Sequence, residues 1–84
     1  MVMAKYDPLA KLLGDSARTE GTAILSFAQI EDLMGKALPN SARRFRSWWG
    51  NDSYHVQSVA WQAAGWRVFK VDMARQVVTF MRAS

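Results

Sequence analysis

Apolar residues recur at helical spacing through the first two-thirds of the chain and at every second position after Gly65. That change of period predicts a helical body followed by a β-hairpin. Asp7 and Pro8 read as an N-cap and a first-turn proline, with Leu9, Leu12 and Leu13 on one side until Gly14. Residues 15–21 are polar, and Gly21 marks a turn before a short strand over 22–26. Ser26 and Gln29 stand three apart, the spacing of a capping box, in which the serine accepts from the backbone and the glutamine reaches back. The helix they open carries Phe27, Ile30, Leu33 and Met34 on one side and closes at Gly35.

Leu38-Pro39-Asn40-Ser41 reads as an entry loop in which Ser41 caps a third helix bearing Phe45, Trp48 and Trp49. Gly50-Asn51-Asp52 breaks that helix, and Ser53 caps a fourth over 54–64. Its expected buried face is Val56, Val59, Ala60 and Ala63. The segments 66–71 and 77–81 then form a hairpin around a five-residue loop, Asp72 to Gln76. The predicted fold is α+β, a single domain over 1–84 in the order α-β-α-α-α-β-β. Four helices pack on a three-stranded antiparallel sheet. The order is winged-helix-like, with one additional short helix and a C-terminal β-hairpin. Element order is an argument about fold and leaves function to the residues.

Composition bounds this picture. Eighty-four residues make one core, and four Trp with four Phe supply it. The sequence has no Cys, which excludes disulfides, thiolate metal sites and cysteine nucleophiles together. The first residues lack the apolar run of a signal peptide, and no stretch reaches the ~18 apolar residues of a membrane span. The reading is a soluble, cytoplasmic protein with no membrane partner. Charge is unevenly placed within a net +4. Residues 1–40 hold four cations against five acids, whereas residues 41–84 hold seven against two, a surplus of five. Such asymmetry favours an anionic partner, nucleic acid first and acidic protein second, against a merely solvated basic face.

The densest candidate chemistry is the segment 41–51. Arg43, Arg44 and Arg46 stand beside Phe45, Trp48 and Trp49. Arginines neutralise phosphates and fork onto guanine edges, while aromatic rings stack on bases or fill a core. On one continuous helix Arg43 and Arg46 share a face opposite the rings, and Trp49 is the ring nominated for the contact surface. Asn51, His55 and Gln57 add groups able to read adenine edges or to cap helices. A lone His cannot make a zinc site, and Asp52 is its sole local carboxylate, so neither metal, cofactor nor catalysis is expected. Arg67 on the hairpin, with Lys70 and Arg75, can flank a nucleic-acid backbone as a wing does. The expected function is therefore a non-enzymatic nucleic-acid-binding module with duplex DNA favoured. The alternative is a protein-interaction module anchored by an exposed Trp among arginines, the types enriched at hot spots.

The chain also resembles a family of small, uncharacterised bacterial and archaeal domains. The resemblance runs from Lys5-Tyr6-Asp7-Pro8-Leu9 through Phe27 and Ile30 to Leu38-Pro39-x-Ser41-Ala42-Arg43. It continues with Trp48-Trp49-x-Asn51, His55-x-Gln57 and Ala60-Trp61-x-x-Ala64-Gly65-Trp66, then Val71 and Val78-x-Phe80. It implies a self-contained domain that stands alone or is appended to larger proteins, and it implies no activity.

Overall fold

Strand β1 (Thr22–Ser26) runs directly into helix α1 (Phe27–Met34) in the computed structural model, which describes Pro8, Leu9, Lys11 and residues 21–82. The capping box forms as the spacing predicts, with the Gln29 backbone N–H donating to Ser26 Oγ at 3.0 Å and the Ser26 N–H to Gln29 Oε1 at 2.7 Å. Gly35 ends the helix in the left-handed conformation, φ 74°, where a side chain would be strained. Helix α2 (Asn40–Arg44), a 3-10 turn (Arg46–Trp49) and helix α3 (Val56–Ala63) follow. Strands β2 (Trp66–Asp72) and β3 (Val77–Arg82) complete the chain. Pro8, Leu9 and Lys11 are helical and Leu9 is buried, but the remainder of the helix expected over 7–14 lies outside the described residues, as does most of the polar stretch before Gly21.

The three strands form one antiparallel sheet in the order β1-β3-β2, so the expected hairpin is paired on its far side by β1. Leu25 and Val71 flank Val78 on the face that meets the helices, while Ile24 and Lys70 flank Thr79 on the other. The strands extend to Asp72 and Arg82, one residue beyond the expected limits. The connecting loop shortens accordingly to 73–76, with Gln76 taking φ 58°. A bulge between Val68 and Lys70 inserts Phe69 as an extra residue, and its ring is 57% exposed. The alternation carries its mark: Trp66 and Val68 keep one parity, Phe69 follows directly, and the inward position passes to Val71 with Lys70 outside.

A column of rings runs through the core. Phe27 stacks on Trp49 at 5.0 Å between centroids, Trp49 on Trp61 at 6.0 Å, and Trp61 meets Phe80 edge-on at 5.6 Å. Offset and edge-on pairs of this kind add to the area each ring buries.

Two helix expectations are corrected. The third helix is not continuous: Pro39, not Ser41, stands at its N-cap, and it stops after Arg44 because Phe45 is extended (φ −123°, ψ 117°). The chain restarts as a 3-10 turn, which swings Trp49 into the core beside Phe27 and leaves Trp48 half-buried. Helix α3 begins at Val56, with His55 at the N-cap instead of Ser53 upstream of it. Its buried face is also rotated: Ala60 is buried as expected, but Gln57, Ser58 and Trp61 join it, whereas Val56, Val59 and Ala63 are exposed. The physical reason is Trp61. Burying an indole outweighs burying two valines, and Gln57 and Ser58 accompany it inward because both find hydrogen-bond partners there.

Candidate functional site

The arginines of 43–46 divide three ways. Arg43 grips Glu31 with both terminal nitrogens, at 2.7 and 3.0 Å, and its guanidinium lies 5.9 Å from the Phe27 ring centre. Glu31 also accepts from the Leu38 backbone N–H at 2.8 Å, so the pair clasps the loop between α1 and α2. The Arg43 hydrogen bonds, followed by the Leu38 N–H, hold the Glu31 carboxyl below the usual carboxylate range. The same contact makes Arg43 hold its proton more tightly than usual. Arg46 donates to the Val71 carbonyl on β2 and thereby docks the 3-10 turn against that strand. Arg44 is exposed and packs over the Phe45 ring at 5.8 Å. The expected shared face of Arg43 and Arg46 does not form, because the helix breaks between them.

Trp49, nominated as a contact ring, is 2% exposed, and its Nε1 donates to the Ala42 carbonyl at 2.9 Å. It is a core residue. Asn51 lies at the surface, yet its amide is engaged: Nδ2 donates to the Val68 carbonyl at 2.9 Å, and Oδ1 accepts from the Val68 N–H at 2.8 Å. The same oxygen accepts from Trp61 Nε1 at 2.9 Å. Asn51 thus mimics one peptide of a neighbouring strand and fixes α3 to β2. Gln57 is buried and donates to the Trp48 carbonyl at 3.1 Å. Arg67 is exposed on β2, opposite Met81 of β3.

His55 is the nominated residue whose surroundings are richest chemically. Its Nδ1 lies 2.6 Å from Asp52 Oδ2, while Asp52 Oδ1 accepts the backbone N–H groups of His55 (2.8 Å) and Tyr54 (3.1 Å). The His55 backbone bond, before the His55 ring and the Tyr54 N–H, holds the Asp52 carboxyl below its ordinary range. The buried Ser58 hydroxyl ties the Asp52 backbone from below, accepting its N–H at 2.7 Å and donating to its carbonyl at 2.9 Å. A cleft of about 520 Å³ opens here, lined by Phe45, Trp48, Tyr54, His55, Asp52, Gln57, Ser41 and Ser47. From the sequence, His55 and Gln57 are site candidates and Phe45 and Trp48 are rings for stacking or for the core, but nothing joins the two groups, and Tyr54 is not singled out. A broken helix at Phe45 was the signal needed, and the run of apolar spacing conceals it.

A family model described as a domain of unknown function (DUF7662) matches residues 6–83. The chain belongs to the DUF7662 family. No curated protein and no solved structure matches it. In this DUF7662 domain the described residues contain no group of three or more His, Cys, Asp or Glu able to hold a metal ion. Nor does any described helix have the length and apolarity to cross a membrane.

Proposed function

We propose that this DUF7662 domain is a non-enzymatic nucleic-acid-binding module, with duplex DNA as the first partner to test. One observation carries the reading. The Arg46–Val71 bond ties the segment Arg44-Phe45-Arg46 to the border strand β2, which exposes Arg67, Phe69 and Lys70. Two segments carrying exposed cations and rings therefore meet at one seam, the β2 edge, with Lys70 on the sheet face turned away from the helices. Three acids of the described chain are already engaged: Glu31 by Arg43, Asp52 by the 54–55 turn, and Asp72 by the Arg75 backbone N–H at 2.9 Å. Among the described residues no carboxylate pairs with Arg44, Arg67 or Lys70, which leaves those three cations for phosphate. Each phosphate neutralised releases a counterion, and affinity falls steeply with salt. A cytoplasmic location goes with this reading.

The test is a salt series on random duplex DNA with the triple variant Arg44→Ala, Arg67→Ala, Lys70→Ala. Arg43 is left out because its loss would open the α1–α2 loop. If all three groups touch phosphate, the logarithmic salt slope shrinks by roughly 2–3 units, near 0.9 per contact. A folded variant with unchanged affinity and slope excludes the seam, and a wild type that binds no nucleic acid at low salt removes the reading.

A second reading, a protein-interaction module, is favoured by α3. In a winged-helix order this is the helix that reads a groove, yet its exposed side shows Val56 and Val59 and its eight residues include no cation. A Val59→Arg variant that weakens capture of a protein partner while sparing DNA affinity would support it.

A further inference from the structure

We propose that the cleft between the 3-10 turn and the start of α3 is a pocket for a single unpaired nucleobase, an inference that rests on the nucleic-acid reading above. Its size falls within the ~300–1,000 Å³ range of small-ligand pockets, at about 520 Å³. Its walls are aromatic: Phe45, Trp48 and Tyr54 all line it. Tyr54 is 76% exposed and His55 is exposed beside it, their rings 4.8 Å apart, so core packing does not explain either side chain.

The polar groups in the same walls narrow the ligand. A carboxylate only accepts, so the His55 nitrogen facing Asp52 carries the proton. In the neutral imidazole Nε2 is then the acceptor, fit for an exocyclic amine of adenine, cytosine or guanine. The hydroxyls of Ser41 and Ser47 line the cleft with it and can donate or accept. An aliphatic side chain would leave these groups unpaired, whereas a base offers a flat face and a hydrogen-bonding edge together. The Asp52 charge repels phosphate from the cleft itself. Arg44, its guanidinium 5.8 Å from the centre of the Phe45 ring, is an exposed cation next to that wall and available to the backbone phosphate of an inserted nucleotide. The arrangement separates base from backbone, as base-extruding proteins require.

The experiment compares three short duplexes by fluorescence anisotropy: fully paired, with one extrahelical adenine, and with an abasic residue in that adenine's place. The adenine duplex is expected to bind about tenfold tighter than the abasic one, the scale of one base stacked on an aromatic ring. The ratio between them should hold across salt concentrations, because stacking releases no counterions, even as both affinities fall. Tyr54→Ala, checked by circular dichroism for an unchanged fold, should bring the ratio to within about twofold. Equal affinity of the adenine and abasic duplexes, with salt-dependent binding intact, overturns the pocket and leaves the module reading standing. A ratio retained in Tyr54→Ala likewise overturns the pocket. Absence of binding to all three at low salt overturns both.

Discussion

Helices α1 and α3 are both eight residues long and lie against the same core, yet they are held by opposite means. Helix α1 carries its own start and stop: a reciprocal capping box at Ser26 and Gln29, a left-handed Gly35, and buried Phe27 and Ile30. Helix α3 has no side-chain cap at His55, buries Gln57 and Ser58, and leaves Val56 and Val59 outside. Its place is set from elsewhere, by Asn51 on the Trp61 indole and by the Ser58 hydroxyl on Asp52. A helix specified locally is legible from spacing, whereas a helix specified by distant partners is not. The second kind is also free to turn an apolar side outward.

The strongest way to break this contrast is Trp61→Ala. Removing a fully buried indole from the ring column should cost about 3–5 kcal/mol, read as a shift in urea midpoint. An effect below 1 kcal/mol would mean that α3 is not anchored by that ring. Asn51→Ala follows, at about 2–3 kcal/mol, since it strips partners from the Trp61 N–H and from both backbone groups of Val68. Hydrogen exchange should show the loss concentrated at α3 and β2, with α1 protected as before.

Ser26→Ala tests the self-contained helix and should cost about 1 kcal/mol. Exchange should then quicken in the first turn of α1 while α3 is unmoved. Acid titration has a smaller effect, because Glu31 and Asp52 are near the surface and their pairs are screened. Both carboxyls are held below their unfolded values, so their contribution is present above the ordinary carboxylate range and fades as pH falls through the folded values. In Asp52→Asn the acid limb of the stability curve should flatten. Val59→Ser should lie within about 0.5 kcal/mol of the parent, the smallest change of the set. A loss of several kcal/mol there would return Val59 to the core.

These contrasts explain what could be read in advance. The capping box and Gly35 as a helix stop depend on neighbours within four residues and stand where the spacing put them. Strand β1 and the terminal hairpin announce themselves by β-branched and aromatic composition, and only the last residue of each hairpin strand and the bulge depart from the expectation. The arginine helix failed because amphipathic spacing continues across Phe45 although the backbone does not. Trp49, nominated for the contact surface, goes inward for the same reason: a turn of three residues directs adjacent rings differently from a turn of 3.6. The face of α3 failed because counting apolar positions gives a valine and a tryptophan equal weight. At the cleft, His55 and Gln57 are the nominated residues that line the wall. The rings around them came together only through tertiary structure.

The Asn51 amide on Val68 and the Arg46 guanidinium on Val71 have a consequence for association. β2 is a border strand, and its outward N–H and C=O groups would ordinarily template pairing with another molecule. Here a side-chain amide occupies one peptide's worth of that rim, a guanidinium takes the next outward carbonyl, and the Phe69 bulge throws the strand out of regular register between them. In the language of polymers the sheet is end-capped on this side: a foreign strand arriving at β2 meets a terminator where it would need a growing end.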